Sequence, residues 1–201
     1  MHNIVKSEEY DYFARKKLID RLCREYGFIK RSVIGRSCGG RDITALKIGS
    51  AEEYSLIAAA FHGSERITAV VLLMFAERLC MALKAGGDIK GIKASKAVNG
   101  RGVIFVPCVN PDGCEISLCG AAACGELAAA IGKMCRNDFA RWNANLRGVD
   151  INHNFNAGWE KLREKEIKEG IYCPGPTRYG GAGPESEPET LALTELCRTV
   201  N

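Results

Sequence analysis

Histidine is scarce: the 201 residues hold three, His2, His62 and His153, so imidazole chemistry has few places to sit. No apolar run reaches the roughly 18 uncharged residues that a membrane-spanning helix needs. Residues 1–9 are polar, without the apolar core of a secretory signal. Cytoplasmic residence and no membrane partner are the expectations that follow. Blocks of like charge are missing too: 28 Lys and Arg against 24 Asp and Glu leave a net charge of +4, and the basic residues are scattered. A nucleic-acid partner therefore has no support. No repeat or low-complexity linker divides the chain, whose length and 46% hydrophobic content suit one domain over residues 1–201.

Cysteine is plentiful, with ten residues. In a chain without a signal these are expected to be reduced and largely buried. The tightest group, Cys108, Cys114, Cys119 and Cys124, lacks the C-x-x-C spacing of structural zinc sites.

Periodicity predicts a helix over residues 8–26, with Tyr12, Leu18, Ile19 and Leu22 on one face and Gly27 closing it. Strands follow at 32–36 and 43–48, joined through Gly39 and Gly40. Residues 54–61 are apolar apart from Ser55, as in a strand buried on both faces. A buried helix over 67–83, a strand over 103–109, a turn at Asn110-Pro111-Asp112-Gly113 and an Ala-rich helix over 121–134 come next. Residues 161–168 alternate in sign like a solvated helix, 173–188 read as a long loop, and 187–198 as a partly exposed helix. The alternation implies an α/β fold with a mixed, mostly parallel sheet flanked by helices, and chemistry at the strands' carboxyl ends.

One such end carries His62-Gly63-Ser64-Glu65. Gly63 permits a tight turn, and the following helix brings Glu65 beside His62. Zinc takes nitrogen and oxygen ligands at roughly 2.0–2.2 Å, and a hydrolytic site uses three protein ligands plus an open position. Two ligands alone do not make such a site. The plain alternative is a hydrogen-bonded His at a strand end and a Glu placed well near a helix dipole.

Further segments stand in order: Val109-Asn110-Pro111-Asp112-Gly113, Gly148-Val149-Asp150-Ile151-Asn152-His153-Asn154-Phe155 and Ser186-Glu187-Pro188-Glu189-Thr190. With His62 and Glu65, and with residues 34–43, this order resembles the zinc carboxypeptidase family of carboxypeptidase A-like (funnelin) metallopeptidases. The wording around Asp150, with Trp142 upstream, is similar to a bacterial branch that cleaves gamma-D-glutamyl-diaminopimelate bonds in peptidoglycan peptides.

The resemblance implies that His62 and Glu65 are zinc ligands. It implies that Asp150 is the carboxylate that accepts a hydrogen bond from the ligand His and fixes its tautomer. Asn152 matches the Asn that helps hold a substrate carboxylate. The next residue departs: His153 stands where the family carries Arg, whose fork pairs a carboxylate bidentately. Carboxylate holding there is expected to be weaker and more pH-dependent, which suits a muropeptide-derived peptide better than a plain C-terminus. Asn143 stands where a basic residue polarises the scissile carbonyl. Arg141 and Arg147 are candidates to substitute, or else solvated surface residues. The family's third ligand, a His, and its general-base Glu lie C-terminal to the S-E-P-E-T segment. Here no His follows His153, and Glu195 lies in a segment that reads as helix surface. The expectation is an N-terminal two-thirds of a catalytic domain, the base lying beyond Asn201, with little or no peptidase activity alone. The competing expectation is a non-catalytic relative that keeps the peptide-binding surface.

Overall fold

The computed structural model describes residues 3–50 and 52–200, so His2 and Asn201 fall outside the described residues. Helix α1 (Tyr12–Glu25) opens with the Asp11 carboxylate accepting from the Ala14 N–H at 2.7 Å and buries Leu18, Ile19 and Leu22. Strands β1 (Lys30–Arg36) and β2 (Asp42–Ile48) form a hairpin whose turn uses Gly40 at φ 78°. Strand β3 (Glu53–Ala58) leads through a 3-10 turn, Gly63–Glu65, into α2 (Ile67–Ala85), which Gly86 ends in the left-handed conformation. A small hairpin of β4 (Asp88–Ile89) and β5 (Ile92–Lys93), then α3 (Ala94–Ala97), precede β6 (Arg101–Val106). Helices α4 (Pro111–Cys119), α5 (Ala128–Cys135), α6 (Trp159–Lys168) and α7 (Pro188–Thr199) complete the described elements.

The main sheet has the order β1-β2-β6-β3. Side chains alternate across it. Leu46, Ile48, Val103 and Phe105 pack with α1 and α2, whereas Ile43, Ala45, Ile104 and Val106 pack with Ile151 and with Ala192 and Leu193 of α7. Helices thus flank a mixed sheet, as expected. The parallel majority is not met among the described strands: β1/β2 and β2/β6 are antiparallel, and β3/β6 is the parallel pair. A short Gly39-Gly40 turn joins only antiparallel neighbours, and a parallel pair needs a crossover such as α2.

Strand β3 is not buried on both faces. It is the sheet's edge among the described strands, with exposure alternating along it and Ile57 38% exposed. The Pro-Asp-Gly segment starts a helix rather than standing as an isolated turn. Pro111 takes a first-turn position that needs no N–H donor, and the Asn110 side chain caps the Gly113 N–H at 2.8 Å. The Ala-rich segment is broken into 3-10 turns by Gly120 and Gly125, both at positive φ, so that only α5 is regular. In α6, Glu166 is buried rather than solvated.

Candidate metal centre

The parallel pair β3/β6 brings two loops to the same end of the sheet. Ala60, in the left-handed region at φ 52°, turns the chain out of β3 towards His62. Thr68 then spans the turn: its hydroxyl accepts from the Ala60 N–H at 2.9 Å and donates to the Glu65 carbonyl at 2.7 Å. Gly63 is required here for space. A Cβ on it would lie 2.3 Å from the Gly113 carbonyl oxygen and 2.4 Å from that of Trp142, and its φ is not positive. The tight turn expected at this glycine forms, with the Glu65 N–H donating to the His62 carbonyl at 3.1 Å, and glycine is needed in it for close backbone approach rather than for a positive φ.

From the β6 side, fully buried Asn110 stitches three segments. Its amide N–H2 group donates to the carbonyls of Phe61 (3.0 Å), Asn143 (3.2 Å) and Ala144 (3.1 Å). The 61–65 turn, the start of α4 and the segment after Trp142 are thereby held as one unit. Trp142 itself is fully buried against Ile116 and Ile131.

Within this frame His62 sits between two carboxylates. Its Nε2 is 3.2 Å from Asp150 Oδ1, and its Nδ1 is 3.1 Å from Glu65 Oε1. Asp150 is 2% exposed and held from several sides: Oδ1 also accepts from the Asn152 N–H at 3.2 Å, and Oδ2 accepts from the Arg178 N–H at 2.9 Å. Burial alone would raise its pKa, but the hydrogen bonds from His62 and Arg178 outweigh that and hold the carboxyl below its usual value. His62 shifts the other way, to about 9, chiefly through the Asp150 hydrogen bond, reinforced by Glu65 and opposed by burial. Asp150 fixes one face of the ring and leaves Nδ1 turned to Glu65. A nitrogen and a carboxylate oxygen 3.1 Å apart have the donor types and spacing of two ligands on one zinc ion.

The other candidates occupy varied positions. Asn143 is half-buried, its Oδ1 accepting from the Ser64 hydroxyl, so its N–H2 end is the donor beside the 62–65 turn. Asn152, two residues after Asp150, is exposed. His153 points its Nδ1 at Glu166 Oε1 (3.0 Å) and the Arg178 carbonyl (2.9 Å), leaving Nε2 for any other contact. Arg141 is at the surface, with its side chain 88% exposed and paired with Asp138 at 3.4 Å. Arg147 lies 3.6 Å from Glu187.

Among the described residues, three ligand-type side chains converge elsewhere, at Cys38, Glu187 and Glu189, within 4.8 Å of one another. Hydrogen bonds account for this group. The Asn145 amide donates to Glu187 (2.8 Å) and Glu189 (3.1 Å), and the Cys38 N–H donates to Glu189 at 2.9 Å. Burial first, then the two carboxylates, push the Cys38 thiol far up, so it stays neutral and donates to them. The S-E-P-E-T segment thus ties the start of α7 to the hairpin turn.

Residues 16–201 match the sequence profile of the family described as Zinc carboxypeptidase. The chain belongs to the zinc carboxypeptidase family. It is 32% identical over 196 residues to gamma-D-glutamyl-L-diamino acid endopeptidase 1 of Lysinibacillus sphaericus, an alignment covering 96% of this chain and 48% of that protein. It is equally similar to the uncharacterised YqgT of Bacillus subtilis, with 96% and 51% covered. Bovine thrombin-activatable fibrinolysis inhibitor has the same fold, with a TM-score of 0.69 at 19% identity and coverage of 96% and 56%. So does carboxypeptidase A of Helicoverpa armigera, with a TM-score of 0.69, 20% identity and coverage of 94% and 42%. The chain therefore spans about half the length of the curated relatives it matches.

The sequence alone did not point to Glu166, Thr68, the bridging role of Asn110 or the Arg178 N–H. Only Asn110 carried a signal, as the polar residue ahead of Pro111 in a motif already singled out.

Proposed function

We propose that this chain forms the first part of a zinc-dependent peptidase site in which His62 and Glu65 hold the metal and Asp150 orients His62. The observation that carries this is the His62 ring: Nε2 is fixed by a buried carboxylate while Nδ1 faces Glu65. Bound zinc would supply a Lewis acid for the scissile carbonyl and for the attacking water. The chain's own residues bind and orient. Asn143 presents an uncharged amide donor where negative charge develops on the carbonyl oxygen, and Asn152 with the Nε2 side of His153 receives a carboxylate of the substrate. The resemblance puts the third ligand and the general base C-terminal to the S-E-P-E-T segment, outside the part of the relatives that this chain covers. The Lysinibacillus relative's name favours gamma-D-glutamyl-diamino acid peptides as the substrate class, and we extend that class to this protein. Cytoplasmic residence, with peptides derived from cell-wall turnover as the small-molecule partner, belongs to the same proposal.

A second interpretation, peptide binding without hydrolysis, draws on Arg141 facing solvent and on His153 being tied to Glu166. Incubating the zinc-loaded chain with a gamma-D-glutamyl-diaminopimelate peptide, and measuring both binding and release of the diamino acid, separates the two. The proposal expects measurable binding, little turnover by the 201 residues alone, and zinc-dependent turnover once the missing ligand and base are supplied on a longer chain. A longer chain that binds the peptide and zinc without cleaving it favours the second interpretation.

A further inference from the structure

A second chemically distinctive place lies where β6 leads into α4, packed against Ala60 and Ala69. Cys108 and Cys114 place their sulfurs 3.7 Å apart, and both residues are buried. Beside them a small open cleft of about 20 Å³ is lined by Tyr12, Arg15, Lys16, Asp42, Pro107 and Cys108. Arg15 is 5% exposed. Its Nη1 has a weak contact with the Tyr10 carbonyl at 3.4 Å, and its Nη2 has no hydrogen-bond partner.

A buried guanidinium with an unmet donor needs a nearby counter-charge. The neighbouring carboxylates are engaged by other groups. Asp112 pairs with Arg41 at 2.7 Å and accepts from the Gly39 N–H, Glu115 accepts from the Tyr12 N–H at 2.7 Å, and Asp42 pairs with Lys16 at 2.9 Å. Asp42 and the Cys108 sulfur share the cleft with Arg15, and the two cysteines and Glu115 are groups whose charge acts on its guanidinium. The two thiols are hydrogen-bonded to each other, and that contact, with Arg15 nearby, draws the Cys108 thiol below its ordinary value against the cost of burial while the Cys114 thiol is pushed up. A cysteine that reaches a cleft, with a second thiol 3.7 Å from its sulfur, is the arrangement of an attacking and a resolving cysteine.

We propose that Cys108, which lines the α1 cleft, is a hydroperoxide-reactive cysteine and Cys114, 3.7 Å from its sulfur, the resolving one, the two forming a reversible dithiol–disulfide site. Cys108 is only 6% exposed, which admits a small oxidant such as hydrogen peroxide and excludes a bulky disulfide. In the first step the Cys108 sulfur attacks one peroxide oxygen. An S–O bond forms, the O–O bond breaks, and hydroxide leaves to be protonated to water, so that sulfur is oxidised by two electrons and peroxide reduced. In the second step Cys114 gives up its proton and attacks the Cys108 sulfur. The S–S bond forms, the S–O bond breaks, and a second water leaves. The sulfurs must close from 3.7 Å to about 2.05 Å. The loop that moves carries Asn110.

The test exposes the reduced, folded chain to limiting hydrogen peroxide, alkylates the remaining thiols and maps all ten cysteines by mass spectrometry. The proposal expects the 108–114 peptide to lose two hydrogens before the exposed Cys119, Cys173 and Cys197 react. In Cys114→Ser, a sulfenic acid at Cys108 should be trapped by dimedone added together with denaturant after the peroxide is quenched. In Arg15→Gln, oxidation of Cys108 should slow several-fold, because a nearby cation favours the nucleophilic form of the sulfur. Oxidation of the exposed cysteines first, with Cys108 still reduced, overturns the proposal. That comparison is made within the native molecule and does not depend on any variant folding.

Discussion

Strand β3 meets two different environments. At its carboxyl end, Asn110, Thr68 and Asp150 bind the chain from three directions, and Gly63 is packed so closely that no side chain fits. Along its open edge, Ile57 is exposed and no strand pairs beyond it among the described residues. Next to that edge, α2 presents Ile67, Val71, Met74 and Phe75, an apolar stripe at helical spacing. The contrast separates two uses of structure. Long-range hydrogen bonds are concentrated where ligand geometry must be fixed, whereas the edge and stripe carry surface suited to contact with further polypeptide.

Breaking the tight end is expected to have the largest effect. Gly63→Ala drives a Cβ into two backbone carbonyls, which should cost about 3 kcal/mol or more in urea unfolding. Gly27→Ala, with nothing within 4 Å of the added carbon, should change stability by less than about 0.5 kcal/mol. Equal losses in the two variants would remove the distinction. Next, Asn110→Ala strips hydrogen bonds from three carbonyls and the α4 cap. A loss of about 2–4 kcal/mol is expected, read from the same unfolding curves.

Asp150→Asn acts through His62. Zinc affinity, measured by competition with a chromophoric chelator, should fall about 10–100-fold, as when other such partners of ligand histidines are removed. The metal-free chain gives a pH signature. His62 has its folded pKa raised from 6.5 to about 9, so its contribution to stability is complete below pH 6.5 and is lost as pH rises through 9. That contribution is on the order of 3 kcal/mol, and Asp150→Asn should flatten the slope in this window. A slope that persists in the variant would show that Asp150 is not its source.

The open side yields the smallest change in stability. Val71→Lys on the α2 stripe should shift unfolding by less than about 0.5 kcal/mol, yet reduce concentration-dependent self-association in sedimentation velocity. Unchanged association would show that the stripe is not the contact surface.

Much of this contrast was legible in the sequence. Helix α2, the β1–β2 hairpin and α7 follow from local periodicity and turn residues, and His62, Glu65 and Asp150 from motif order. The exposed edge of β3 was not, because an apolar run shows that a strand is suited to burial without showing how many neighbours it has. Glu166 was hidden by flanking Lys and Arg, which read as solvated, and its partners His153 and Gly180 lie 13 and 14 residues away. Pro111-Asp112-Gly113 carries both a turn signal and a helix-start signal. The Asn110 cap decides between them, and a contact with Phe61 49 residues away fixes its role.

The most direct test of the central claim, that His62 and Glu65 are a prepared metal pair, is a titration with Co²⁺ followed by absorption spectroscopy. A thiolate ligand would announce itself by an ultraviolet charge-transfer band. The account predicts one equivalent of cobalt in nitrogen and oxygen surroundings, without that band, and loss of the spectrum in both His62→Ala and Glu65→Ala. A thiolate band, or an unchanged spectrum in the two variants, would place the metal on cysteine or elsewhere and contradict it.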